Sequence, residues 1–326
     1  MHKRKGIFGI FIIIFCFLTL CACGKVIPPL DEIRVFGGFS VHYLDVGQGD
    51  AIFIRLPDGK NMLIDCGVND ADGDNAEYVI EYLNKYSVNT IDYLILTHPD
   101  SDHVGNACEI LGRFNVGVAF IPFIIDEMLN LFPEFSLAKE KLEEKQVSIV
   151  NPDFYQYIKG ENYFFAFLSP SPKTFLDSSY AILASSAVPT ATQINNLSPI
   201  TYLECFGKRF VFTADAESGE ESKVISNYKS GFYNVAFQSA GYLVNLENID
   251  CLKVSHHGAS DASSKDFLQL LNPKNAIISV GDNFYGHPSS ETLISLQEVN
   301  PDYNLFRTDV NGTISARLNG QSLVID

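Results

Sequence analysis

The sequence predicts an α/β protein in which strands and helices alternate through two hairpin-rich halves. Three observations predict it. Residues 39–44, 51–56 and 61–64 read as a β-meander, joined by the tight turn Asp45-Val46-Gly47-Gln48-Gly49-Asp50 and by Pro57-Asp58-Gly59-Lys60. Ala76, Val79, Ile80 and Leu83 then recur at helical spacing, so an amphipathic helix leads into a strand over 92–96. A second hairpin, 200–205 with 209–213 turned at Phe206-Gly207-Lys208, opens the second half, and strands at 250–254 and 276–280 follow. At 326 residues and 46% hydrophobic content, the chain can bury one large core or two modest ones.

The most informative stretch lies between these halves. An apolar run ending at Leu96 breaks into Thr97-His98-Pro99-Asp100-Ser101-Asp102-His103, and an apolar helical pattern resumes at Val104. Strand, polar loop and helix in that order bring His98, Asp100, Asp102 and His103 to one sheet edge. Imidazole nitrogen with carboxylate oxygen is a ligand set for zinc, and it suits manganese or iron as well.

The N-terminus reads as a leader. His2-Lys3-Arg4-Lys5 precedes an apolar run over 7–20, followed by Leu20-Cys21-Ala22-Cys23. We expect residues 1–22 to be a lipoprotein signal peptide, Cys23 the lipidated residue that anchors the chain to the bacterial membrane, 23–38 a tether and 39–326 the functional domain. An uncleaved anchor is the alternative for 7–20. The net charge of −16 grows more negative once Lys3, Arg4 and Lys5 leave with the leader. So acidic a chain is ill suited to sliding along nucleic acid, which needs basic side chains to displace counterions. Cys66, Cys108, Cys205 and Cys251 each sit in an apolar pattern, and buried free thiols are expected.

The spacing at 98–103 resembles the His-x-His-x-Asp-His signature of the metallo-β-lactamase superfamily, with Asp100 in the third place. That variant is similar to the extracellular hydrolase domain of the ComEC/Rec2 competence proteins and their stand-alone relatives. The resemblance extends over 39–324 and implies an αββα sandwich, two mixed sheets between helices, with a metal site at one sheet edge. Asp45–Asp50 matches the family's opening motif, and we read it as architecture with Asp50 in the outer shell. The resemblance gives Asp65 the role of orienting a metal-binding histidine. Asn195-Asn196-Leu197-Ser198 falls where many superfamily members keep a metal-binding histidine, so the first metal is one ligand short, and Asn196 and Ser198 become second-shell or substrate candidates. Thr213-Ala214-Asp215-Ala216-Glu217 resembles a motif whose aspartate bridges two metals, although Asp215 fits a helix N-cap equally well locally.

Ser255-His256-His257-Gly258 and Tyr285-Gly286-His287-Pro288 resemble two further family motifs. We assign His98 and Asp100 to a first divalent metal, Asp102, His103 and His256 to a second, and Asp215 to both. Either of the paired histidines can be the ligand, and with His256 taken as such His257 is left to contact substrate; His287 is the candidate to polarise it or protonate a leaving group, with a structural role as the alternative. A helix over 263–271 with a capping-box pattern at Ser263 and Asp266, and a hairpin over 307–314, complete the reading.

The two ions are expected to be zinc or manganese, with the oxygen-rich first position favouring manganese. The resemblance implies hydrolysis of a phosphodiester, DNA first in line, by a hydroxide held between the metals, with Asp102 essential. An envelope phosphodiester such as a teichoic-acid or phosphorylcholine substituent is the runner-up. Lactone or β-lactam hydrolysis comes third, and a non-catalytic surface binding module is the alternative of a different class. The sequence specifies no protein partner and says little of residues 113–195, where the resemblance implies lids and substrate walls.

Overall fold

The computed structural model describes residues 38–70, 73–154, 156–170 and 188–326. The leader, Cys23 and most of the tether lie outside them. The first half contains β1 (Ser40–Tyr43), β2 (Ile52–Arg55), β3 (Asn61–Ile64), α1 (Asp74–Lys85), β4 (Thr90–Ile95), α2 (Ser101–Val104), α3 (Ala107–Arg113), β5 (Asn115–Phe120), α4 (Pro133–Glu144) and β6 (Ser148–Val150). The second continues with β7 (Tyr157–Gly160), β8 (Tyr163–Phe167), α5 (Ala191–Asn195), β9 (Thr201–Cys205), β10 (Lys208–Phe212), α6 (Ser218–Lys229), α7 (Phe232–Ala236), β11 (Cys251–Lys253), α8 (Lys265–Leu271), β12 (Asn275–Ile278), α9 (Ser290–Val299), β13 (Asn304–Arg307), α10 (Thr308–Asn311), β14 (Ile314–Asn319) and β15 (Ser322–Ile325).

Two mixed sheets result. One has eight strands in the order β15-β14-β1-β2-β3-β4-β5-β6, the other seven in the order β13-β12-β11-β10-β9-β8-β7. The meander β1-β2-β3 is antiparallel, and β3 to β6 pair in parallel because helices carry the chain back across the sheet. The sheets face each other through Phe39, Tyr43, Ile54, Phe165, Phe210 and Phe212. On the outer side of the first sheet α1, α3 and α4 bury Val79, Leu83, Ile110 and Leu142. Val224, Phe267 and Leu296 from α6, α8 and α9 do the same for the second. Each of these side chains, fully buried, contributes about 1.5–3 kcal/mol. The expected αββα sandwich is the observed one.

Three local expectations change. Residues 307–314 are not a hairpin: β13 pairs with β12 in the second sheet while β14 pairs with β1 and β15 in the first, so the segment carries the chain from sheet to sheet. The real C-terminal hairpin is β14-β15. The helix expected from Ser263 starts at Lys265, and no side chain caps it. Ser263 instead adopts φ 53, and its N–H donates to the buried Glu221 carboxylate at 2.6 Å. The strand expected at 120–122 lies earlier, over Asn115–Phe120. The four body cysteines are free thiols, and only Cys108 is less than fully buried.

The topology gathers the polar motifs. Strands β3, β4 and β5, and likewise β10, β11 and β12, run parallel, so the segments leaving their C-terminal ends emerge on one side. In α/β sheets that is the edge where ligand sites form.

Candidate metal centre

Four segments meet at this edge: 97–103 after β4, 213–217 after β10, 254–258 after β11, and 281–288 after β12. In each, a strand end aims a polar side chain that the sheet interior could not accept. The turn before β2 closes the floor. The Asp50 N–H donates to the Asp102 carbonyl at 3.2 Å, a contact only glycine at 49 allows, since a Cβ there would stand 2.2 Å from that oxygen.

Four imidazoles are held through their δ nitrogens, whereas the Nδ1 of His287 is buried without a hydrogen-bond partner. His103 Nδ1–H donates to Asp65 at 2.8 Å, and Asp65 also accepts the Thr97 N–H (2.8 Å) and hydroxyl (2.7 Å). His98 Nδ1 shares hydrogen bonds of 3.1 Å with the Ser198 and Thr97 hydroxyls. His257 Nδ1–H donates to the Ser279 carbonyl at 2.8 Å, and His256 Nδ1–H to Asp261 at 3.1 Å. Fixing one ring nitrogen sets the tautomer and leaves the other free as a ligand.

The free ε nitrogens converge on Asp215. His103 Nε2 and His257 Nε2 lie 3.2 and 3.5 Å from its Oδ1, and His257 Nε2 lies 3.4 Å from Asp102 Oδ2. His98 Nε2 and His256 Nε2 lie 3.9 and 3.8 Å from Oδ2, with Asp100 Oδ2 a further 3.8 Å from His98. The ε nitrogens of His98, His103 and His257 and the Oδ1 of Asp215 are buried without a hydrogen-bond partner. Orphaned atoms of this kind are costly unless a cation joins them.

Asp102, His103, Asp215 and His257 offer ligand atoms that lie within 4.8 Å of one another, and His98, Asp100 and Asp102 form an adjoining group. The imidazole beside Asp102 and His103 is therefore that of His257, where His256 was expected. Both histidines take left-handed backbone, φ 49 and 52, which turns the two rings in a way that strand alternation does not foretell.

The electrostatics fit a cation. Burial and the neighbouring His103 bring His98 down to about 3, so it stands neutral. Burial opposes charge on His103 and His257, yet the carboxylates around them, Asp215 foremost, raise both. Asp100 is pushed up to about 6 by burial and by Asp102. Asp215 is held well below the carboxylate range despite its burial, by His257 and His103. Protons on imidazole here balance the charge that divalent ions would balance, and the donor set of nitrogen and carboxylate oxygen is theirs.

Around this centre, Asn196 Oδ1 accepts the Glu217 N–H at 3.0 Å, so it braces the Asp215 loop. His287 is half-buried, its ring 5.3 Å from that of His256 and 5.7 Å from that of Tyr285, and burial and His256 lower its pKa. Phe284 and Tyr285 beside it are exposed.

Two supports were missed in the sequence. Lys253, wholly buried, pairs with Asp50 at 2.8 Å, and Asp50 in turn lies 3.7 Å from His257 Nδ1. A lysine inside an otherwise apolar strand was the available signal. Glu221, also buried, accepts from Ser255 Oγ and from the Ser263 and Ser264 N–H groups, thereby holding the loop that carries the paired histidines. Nothing in a helical glutamate foretells that.

A profile described as the Metallo-beta-lactamase superfamily matches residues 44–282. The chain belongs to this superfamily. Members of its fold typically hold two metal ions, and the residues gathered here fit that number. Among curated proteins, the chain is 28% identical to ComE operon protein 3 of Bacillus subtilis over 294 residues, 85% of this chain and 33% of that one. It is 27% identical to recombination protein 2 of Haemophilus influenzae over 245 residues, 74% of this chain and 24% of that one. It is 23% identical to competence protein ComA of Neisseria gonorrhoeae over 276 residues, 84% and 32% respectively. The ComEC/Rec2 resemblance read from the motifs is thus supported along most of the metallo-β-lactamase region, although the chain spans only a quarter to a third of these relatives' length.

Proposed function

We propose that the chain is a metal-dependent phosphodiesterase working outside the membrane, anchored by a lipid on Cys23, with a nucleic acid as its first candidate substrate. The observation that carries the reading is the carboxylate of Asp215, whose two oxygens face two different sets of unpartnered imidazoles. Asp102, His103, His257 and Asp215 would hold one ion, and His98 and Asp100 together with Asp215 would hold its neighbour. Divalent ions there, zinc or manganese, would supply Lewis acidity for activating water at neutral pH and positive charge for the developing oxyanion. Against them, Asp100, Asp102 and Asp215 leave roughly one positive charge, suited to an anionic ester.

The protein's own residues do the rest. Asp65, Ser198, Ser279 and Asp261 keep the rings in register. Sheet edges and the floor turn keep bulk water from the buried side. His287, at the mouth, donates a hydrogen bond to a phosphoryl or leaving oxygen, and Phe284 with Tyr285 offers faces on which an unpaired base can stack.

The decisive experiment measures metal content and hydrolysis of bis(4-nitrophenyl) phosphate in added manganese or zinc. Two ions per chain with turnover support the reading. Two ions without turnover on this ester, on single-stranded DNA or on teichoic acid would leave a surface binding module. The charge of −16 favours one second reading, an esterase for envelope phosphodiesters such as teichoic acid or phosphorylcholine. Release of phosphorylated units from cell-wall polymer without cleavage of DNA would select it.

A further inference from the structure

We infer that His256 is the fourth ligand of the first metal position, filling the place left by the histidine that this chain lacks at Asn196. This rests on the two-metal reading above and completes it. His98, Asp100 and one oxygen of Asp215 give an ion three donors, and a four-coordinate ion needs one more. Asn196 cannot provide it while its Oδ1 accepts the Glu217 N–H.

His256 meets the requirement on three counts. Its Nδ1 is engaged by Asp261, so the free electron pair is on Nε2. That Nε2 lies 3.8 Å from Asp215 Oδ2, in line with the 3.9 Å from His98 Nε2 to the same oxygen and the 3.8 Å from His98 to Asp100. Bonds of ~2.0–2.2 Å to a tetrahedral ion set neighbouring donors ~3.4 Å apart, so these three separations need to close by only a few tenths of an ångström, while His256 must swing further to join His98 and Asp100, with which it shares no group within 4.8 Å. The aim is also built in. His256 N–H donates to the Ala214 carbonyl at 2.8 Å, tying the ring to the residue before Asp215, and the successive left-handed conformations of His256 and His257 set one ring on each oxygen of that carboxylate. Glu221 clamps the surrounding loop in that shape.

A different grouping is open to the same ring, since Glu217, His256 and Asp261 also offer atoms within 4.8 Å of one another. There, His256 Nδ1 is already engaged by Asp261 at 3.1 Å, and Glu217 already accepts from Asn195 at 2.9 Å. The two arrangements differ in which ion depends on His256.

The test loads the purified chain and its variants with Mn(II), counts ions by elemental analysis, titrates affinity and records the manganese paramagnetic resonance. The unaltered chain should hold two ions with a spin-coupled spectrum. His256→Ala should keep one ion, give the six-line spectrum of isolated Mn(II), and bind the second at least ~100-fold more weakly, beyond the ~10–100-fold that outer partners carry. Asp261→Asn, which alters a half-exposed carboxylate and leaves the fold untouched, should weaken that same ion ~10-fold. The double variant His98→Ala/His256→Ala should still retain one ion, and Asp102→Ala/His256→Ala should retain none. Two coupled ions at full affinity in His256→Ala would overturn the assignment, as would a third ion in the unaltered chain that His256→Ala alone removes. Fewer than two ions in the unaltered chain would instead refute the two-metal reading itself.

Discussion

At the scale of single residues, the centre is a set of side chains each committed at one end and open at the other. Asp102 shows the division well: its carbonyl takes the Asp50 N–H while its carboxylate faces His257. Asp102→Ala should therefore abolish turnover with an unchanged circular dichroism spectrum, and residual hydrolysis would remove the two-metal mechanism. Asp65 holds His103 and Thr97 through three hydrogen bonds. For Asp65→Asn we expect metal affinity to fall about 10–100-fold, read by competition with a chelator. His287→Ala should lower turnover while leaving metal content intact, and loss of an ion from that variant would make His287 a ligand. Which residues matter was largely legible in the sequence, since every histidine but His2 and His42 falls in a motif and ends at the centre. Which of the paired histidines faces which partner was not, because two consecutive positive φ angles decide it, and histidine's modest tolerance of such backbone does not announce two in a row.

At the scale of elements, the ion pair of Lys253 with Asp50 fastens β11 of one sheet to the turn before β2 of the other. Both groups are buried, so removing one leaves an uncompensated charge. Lys253→Met should cost about 3–5 kcal/mol in chemical denaturation, and the double variant with Asp50→Asn should recover a large part of it. A full additive loss would mean that the two residues act separately. Gly49→Ala drives a methyl into the Asp102 carbonyl and should displace α2, weakening metal binding more than it lowers thermal stability. Strand and helix placement followed from apolar periodicity, usually to within two residues. Two of the three failures share a cause. Residues 307–314 have the pattern of a hairpin, but pairing partner is a property of the tertiary fold, and β13 and β14 belong to different sheets. Ser263 and Asp266 have the pattern of a cap, but Glu221 claims the Ser263 N–H from across the layer.

At the scale of the whole molecule, the core holds one histidine outside the site. His42 lies fully buried against Phe53, Tyr82 and Tyr86, hydrogen-bonded to Ser40, Ser315 and Tyr82, and burial with Arg55 and Arg317 pushes it down to about 3. An unfolded imidazole titrates near ~6.5. Between these values the unfolded chain binds the proton and the folded chain does not, so the contribution is complete above about 6.5 and disappears as pH falls toward 3. His42→Gln should remove up to about 1.4 kcal/mol per pH unit of slope from the metal-free unfolding free energy across that window. An unaltered slope would show that His42 is charged in the fold. No helix among the described residues is long and apolar enough to cross a membrane. If the proposed lipid is what holds the protein to the cell, Cys23→Ala should move it from the membrane fraction to the medium.

The split of the centre between the two sheets also bears on how the protein is made. His98, Asp100, Asp102 and His103 leave the ribosome early, whereas Asp215, His256 and His257 follow only after β10 and β11. A nascent chain in which β1 to β6 have paired carries half of the candidate ligand set, with nothing to close it. On the two-metal reading, ion capture would be a late event in biosynthesis and a check on completion: the full ligand set comes together only in a chain synthesised through its second sheet, with β14 and β15 of the first still to follow.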